Sequence, residues 1–202
     1  MEEKTMILPF TTDIRHLHQL AWQPAKFAHP LWLEKAGVKA EHYHYGRSHA
    51  LDNALNRVLI RQRKFPEHPL PATLSQQQQY QMAGHQQLSS RCLALGLVHL
   101  QCDEYLRLRH YREGLLPLLN ERNIQQLMGL GYHGHLPARL SRQQLPSVAL
   151  RFGHRLAHQV RHDEVVWRAI SIQLPPQPRA LSLPAALLLS AEHWLARLER
   201  LL

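Results

Sequence analysis

Acidic residues, glycine and cysteine are all scarce in this 202-residue chain, and each scarcity closes off a class of function. The 15 Asp and Glu are spread thinly, so paired carboxylates for acid–base chemistry do not stand out. GxGxxG spacing occurs once, as GLGYHG (129–134), and no phosphate-loop lysine follows it. The glycines of GLGYHGH (129–135) follow a helix pattern rather than a strand, which argues against the common nucleotide cradles. GxSxG is missing too, and with it the strained serine turn of many hydrolases. Two cysteines, Cys92 and Cys102, lie in a leucine-rich segment. On one helix they would stand about three turns apart, too far to bridge, and they read as small core hydrophobes. No run approaches the roughly 18 apolar residues that span a bilayer. The opening MEEKTMILPFTTD is acidic and lacks an apolar core, so it does not read as a secretion signal, and cytoplasmic residence is the expectation.

What is present is apolar bulk and positive charge. At 45% hydrophobic residues the chain is able to bury a sizeable core, so disorder is not expected. The net charge of +9 favours an acidic partner: nucleic acid, anionic lipid or an acidic protein face. Arginine far outnumbers lysine and makes the better forked contact with carboxylates, although genomic base composition produces the same excess.

The periodicity is helical almost throughout. SHALDNALNRVLIRQ (48–62) places Leu51, Leu55, Val58 and Leu59 on one face, with Ser48 as N-cap. The stretch 86–112 is apolar on nearly all sides from Cys92 to Leu100, as suits a central helix, and turns amphipathic beyond Cys102. Gly114 and Pro117 break the chain. A new helix starts with Asn120 as cap, turns Ile124, Leu127 and Met128 inward, and stops at the Gly129/Gly131 pair. Segment 141–164 is the clearest helix, with an apolar stripe of Leu145, Ala149, Phe152, Leu156 and Val160. The segment 184–202 repeats the logic with Leu187, Ala191, Trp194, Leu198 and Leu201, and Arg197 and Arg200 flank that face. Pro-rich breaks at 63–79 and 173–184 read as loops. Only WRAISIQL (167–174) alternates, with Ile170, Ile172 and Leu174 on one side. The expected fold is therefore all-α, a single helical domain over 1–202, with at most one short β element near 167–174. Its parts are a Pro/aromatic segment of about 1–37, a helical body at 48–164, and a C-terminal arm and helix at 165–202.

Sixteen histidines call for a metal test. The candidates are His16/His18, His42/His44, His133/His135 and His154/His158/His162. At 100° per residue, Arg151, His154, His158, Arg161 and His162 fall opposite the apolar stripe of their helix and so face water, where the second shell that holds metal ligands is hard to build. No HExxH occurs. The expectation is no metal, no cofactor and no catalytic constellation. The basic charge, with Tyr43, Tyr45 and Trp22 for stacking, makes a nucleic-acid-binding protein the rival reading. Against it, the cations are distributed without a dense run and no zinc-finger or RNA-binding signature is present.

The stretch AWQPAKFAHPLWLEKAG (21–37) holds half of the tryptophans. Together with the residues before it, FTTDIRHLHQLAWQPAKFAHPLWL resembles the N-terminal signature of the type III secretion accessory family SctK (YscK in one lineage), through Trp22, Pro24, Phe27, His29, Pro30, Trp32 and Leu33. LALGLVHLQCDEYLRLRHYREGLLPLLNERNIQQLMGLG (93–131) is similar to that family's central stretch, and WRAISIQLPP (167–176) to its basic, alternating segment. The order and total length carry the resemblance, and the last helix has no counterpart in it. The resemblance implies a non-enzymatic adaptor of the cytoplasmic sorting platform, peripheral to the inner membrane at the base of the injectisome. It would join the forkhead-associated domain of the ring protein SctD to the SctQ pods, and through SctL to the ATPase, with no nucleic-acid partner and no membrane insertion. The interface candidates are Arg151, His154, Arg155, His158 and Arg161, with Trp22, Phe27 and Trp32 as anchors. Pro24 and Pro30 would stiffen an extended path that clamps this segment to the body.

Overall fold

Side-chain oxygens at the expected places start several helices. In a computed structural model, which describes residues 11–130, 134–177 and 182–202, the Oγ or Oδ of Thr11, Ser48, Ser75 and Asn120 each accepts from a backbone N–H of the first turn. At Ser75 the cap is reciprocal, because Gln78 Oε1 accepts from the Ser75 N–H. The helices are α1 (Thr12–Trp22), α2 (Pro30–Lys35), α3 (His49–Arg63), α4 (Gln76–Ala83), α5 (Leu88–His99), α6 (Glu104–Arg107), α7 (Arg109–Leu115), α8 (Glu121–Gly129), α9 (Leu145–Arg161), α10 (Val165–Ile170) and α11 (Ala185–Leu201). The described residues contain no strand.

Helix α5 is buried on every side from Arg91 to Val98, as its all-round apolar sequence predicts. Its main neighbour is α9, and the two approach closely because each offers a glycine at the crossing. A Cβ on Gly153 would lie 1.7 Å from the Cys92 carbonyl oxygen, and one on Gly96 would lie 1.9 Å from the Ala149 carbonyl oxygen. Helices α1, α4, α7, α8, α10 and α11 add apolar side chains to this core. A second, small cluster joins Ala25, Leu33, Tyr43, Leu55 and Leu59 beside α3.

Four expectations are corrected here. The short β element near 167–174 is instead α10 followed by a 3-10 turn, Ser171–Gln173. Val166, Trp167, Ala169, Ile170, Ile172 and Leu174 are all buried, so the segment is not one-sided, and a lone strand in this helical surrounding would leave its backbone groups unpaired. The helix of 86–112 is broken after His99. Gln101 takes a positive φ of 51°, and its carbonyl accepts from Leu136 N–H at 2.8 Å, so a crossing segment occupies the path of a continued helix. Cys92 therefore stands on α5 and Cys102 in the connection between α5 and α6, although both are buried free thiols. On α3 the inward face is Asp52, Leu55, Asn56 and Leu59, while Leu51 and Val58 are 39% and 38% exposed. Two polar residues take inward places because each finds a partner. The Asn56 Oδ1 accepts from Ala25 N–H, and Asp52 accepts from the Tyr43 hydroxyl and Gly46 N–H. Finally, Pro24 and Pro30 do not stiffen an extended path. Each opens a helical turn, where proline's missing N–H costs nothing.

The caps of α3 and α8, the inward Ile124 and Leu127, the loop before α4 and the C-terminal helix stand as expected. On α11 the buried line is Ala191, Leu195, Leu198 and Glu199, while Leu201 is exposed. Gly131, His133 and residues 1–10 and 178–181 lie outside the described residues.

Candidate docking surface

Helix α9 carries the largest group of interface candidates, and its geometry splits that group. Successive steps of 100° put Arg151, Arg155, His158 and His162 within one narrow stripe, while His154 and Arg161 are rotated some 60–80° to one side. The stripe reaches solvent: Arg151, His158 and His162 are exposed and Arg155 is half-buried. His154 and Arg161 are only 3% and 5% exposed. Their placement on the water-facing side is thus corrected. The apolar stripe gives α9 a core face, but α5, α10 and α11 wrap it over a wider arc than one stripe requires.

Arg161 instead ties four helices together. Its guanidinium meets Glu164 Oε1 at 2.6 Å and Glu199 Oε2 at 3.7 Å. Gln81 on α4 donates to Glu164 at 2.8 Å and to Glu199 at 3.4 Å, and Arg91 on α5 donates to the Glu199 carbonyl at 3.2 Å. Burial raises the Glu199 carboxyl above its ordinary range, and Arg161 opposes that rise. Burial also lowers the Arg91 guanidinium, with Glu199 working against it. An assembly of this kind is a structural cross-brace, in which each buried charge faces an opposite charge or a hydrogen-bond partner, although the Nε of Arg91 and of Arg161 stay unpaired among the described residues.

His154 is held neutral. Burial first, then the like charge of His158, pushes it down to about 3. Its Nδ1 pairs with the Gln177 amide, and Trp167 lies 6.3 Å away between ring centroids. His158 is likewise lowered, by desolvation and by His162, and faces the Trp167 indole N–H at 3.5 Å. Among the described residues no three of His, Cys, Asp and Glu come together as a metal-holding group.

The Pro/aromatic segment divides in the same way. Trp32 is half-buried, and its indole N–H donates to the Leu174 carbonyl at 2.9 Å, while the His29 N–H donates to the Ile172 carbonyl at 2.9 Å. Phe27 is half-buried and meets His16 edge-on at 5.2 Å. These contacts form the expected clamp onto the body. Trp22, at the end of α1, is 52% exposed and takes no part in it.

One cleft went unseen in the sequence. Thr12, Asp13, His16, Gln19, Phe27, His85 and Gln173 line an open depression between α1 and the turn after α4. There the His16 and His85 rings lie 4.4 Å apart, and burial and then His85 lower the His16 value. Residues so far apart in sequence carry no spacing signal that could have paired them.

The fold and this surface define an all-helical protein that turns a cationic stripe outward on α9 and spends much of the polar chemistry of its interior on bracing. A family model described as "Type III secretion system subunit" matches residues 15–176. The match covers well over half of the 202 residues, and the chain belongs to that family. No curated protein and no solved structure matches the chain. Among the described residues no helix is long and apolar enough to cross a membrane.

Proposed function

We propose that this type III secretion subunit is a non-enzymatic adaptor of the SctK kind in the cytoplasmic sorting platform, joining the forkhead-associated domain of SctD to the SctQ pods at the base of the injectisome. The observation that carries the proposal is the match to a secretion-subunit family over a body that turns Arg151 and His158 outward, with half-buried Arg155 between them. Cations on a rigid helix steer and orient an acidic partner face, affecting encounter rate and register more than raw affinity. The net charge of +9 supplies the wider field. Trp22, large, rigid and exposed, is of the residue type that dominates interface energetics.

The test is co-purification of the chain with the SctD cytoplasmic domain and, separately, with SctQ at micromolar concentration. Binding to at least one is expected. Binding to neither would overturn the reading. Reversal of Arg151 and Arg155 to Glu tests the α9 stripe itself; undiminished association would remove that face from the proposal.

A further inference from the structure

The outer face of α3 is a second surface of different character. At 100° per residue, Leu51, Ala54, Val58 and Arg61 fall within about 80° of one another, flanked by Ala50 and Arg57. All six are exposed. Leu51, Ala54 and Val58 follow the i, i+3, i+7 spacing of a helix-packing ridge, and Leu51 and Val58 keep 39% and 38% of their surface open to solvent.

The charge around this ridge is one-sided. Between Tyr43 and Pro66 the only carboxylate is Asp52, which is buried and bound to the Tyr43 hydroxyl at 2.8 Å and Gly46 N–H at 2.9 Å. Arg47, Arg57 and Arg61 are exposed and make no ion pair among the described residues. By contrast, Arg63 and Arg168 are consumed internally: Arg63 donates to the Arg168 carbonyl, and Arg168 pairs with Glu67 at 3.0 Å. Arg57 and Arg61 thus lie beside the partly open apolar ridge.

We propose that the outer face of α3 docks an acidic amphipathic helix of a protein partner. Such a helix would set its own leucine-like residues against Leu51, Ala54 and Val58 and place Asp or Glu alongside Arg57 and Arg61, which stand one turn apart. Charge complementarity selects this occupant. A nucleic acid would press phosphates onto an aliphatic ridge and answer only a few cations, whereas an acidic helix satisfies ridge and cations together. The inference rests on the adaptor reading only in that the helix would belong to one of its partners.

The probe is a synthetic peptide of about 18 residues, with leucines at i, i+3 and i+7 and glutamates flanking them, labelled for fluorescence anisotropy against the full chain. A scrambled peptide of equal composition, a DNA duplex and phosphatidylserine vesicles serve as competitors. The expected result is binding of the patterned peptide that falls at least about tenfold in R57E/R61E and in L51E/V58E, each checked for unchanged circular dichroism. The milder L51S/V58S pair should weaken binding in the same direction and covers the case of a misfolded glutamate variant. Equal affinity for scrambled and patterned peptides, or variants that keep wild-type affinity, would overturn the proposal, as would displacement of the peptide by DNA or vesicles at matched charge. The two readings fail separately. A chain that takes the peptide but neither SctD nor SctQ sinks the adaptor reading alone. A chain that binds either protein undiminished by the α3 variants, and ignores the peptide, sinks the α3 docking site alone.

Discussion

Gly153 on α9 rests on the carbonyl group of Cys92 on α5, so closely that a methyl group there would sit 1.7 Å from the oxygen. The atom in the way is backbone inside the most buried helix of the protein, and cannot swing aside as a side chain would. Gly153→Ala is therefore expected to force the two helices apart, at a cost of about 3 kcal/mol or more, beyond the usual overpacking penalty. Gly129→Ala provides the contrast. Among the described residues nothing lies within 4 Å of its added Cβ, and a gain of up to about 1 kcal/mol in helix stability is expected. Thermal unfolding of both variants checks the pair. A Gly153→Ala protein as stable as the wild type would mean that α5 and α9 do not cross there.

Arg161 and Glu199 form a nearly dry pair, and removing one leaves the other charged without its partner. Arg161→Met is expected to destabilise by about 3–5 kcal/mol near neutral pH. The loss should shrink at lower pH. Without Arg161 the Glu199 carboxyl rises further above its unfolded value, so the folded variant is favoured once that carboxyl is protonated and is disfavoured as pH climbs through its folded value. Urea unfolding of wild type and variant at matched pH reads the difference. A penalty independent of pH would show that Glu199 is not the group left stranded.

The charge and the apolar stripes of these helices were legible in the sequence, but the sharing of their polar sides was not. Helical periodicity places a residue on a wheel and marks the strongest apolar arc, as it did for Leu145, Ala149 and Leu156. It does not say how wide an arc the neighbours cover. His154 and Arg161 lie opposite the apolar stripe, on the side the wheel gives to water, yet α10 and α11 close over them, with Gln177, Glu164 and Glu199 as partners. Asp52 and Asn56 went inward on α3 for the same reason, at the expense of Leu51 and Val58. Gln177 for His154, Glu199 for Arg161 and Ala25 for Asn56 are remote in sequence, and no local pattern encodes them. The break after His99 depends likewise on a strand of chain arriving from residue 136.

His154 ties stability to acidity. Its folded value of about 3 lies well below the 6.5 of an exposed histidine, so below pH 6.5 the unfolded chain takes up a proton that the folded chain refuses. Stability from this group is complete above pH 6.5 and is lost as pH falls toward 3. Each pH unit in that window costs about 1.4 kcal/mol, roughly 3 kcal/mol between pH 6.5 and 4. His154→Gln, which keeps a hydrogen-bonding side chain without the titration, is expected to flatten the melting temperature over that window. His16, His29, His99 and His158 are lowered in the same direction and leave a residual slope. An unchanged pH profile in His154→Gln would assign the dependence to those other histidines.

Trp22 and Trp32 lie ten residues apart in one aromatic-rich stretch but do different work, and paired substitutions separate the two. Trp32 packs on the core and holds the Leu174 carbonyl, so Trp32→Ala is expected to cost about 3 kcal/mol or more of folding stability, and Trp32→Phe about 1 kcal/mol for the lost hydrogen bond. Trp22 is more than half exposed, and Trp22→Ala should change stability by no more than about 0.5 kcal/mol. If it is an anchor for SctD or SctQ, the same substitution weakens that association by about 2 kcal/mol, some thirtyfold in Kd. Melting curves and titration calorimetry on the two alanine variants read both quantities. A Trp22→Ala protein that melts normally and binds both partners with wild-type affinity would strip the tryptophan of its interface role and leave the α9 stripe and α3 as the surfaces in contention.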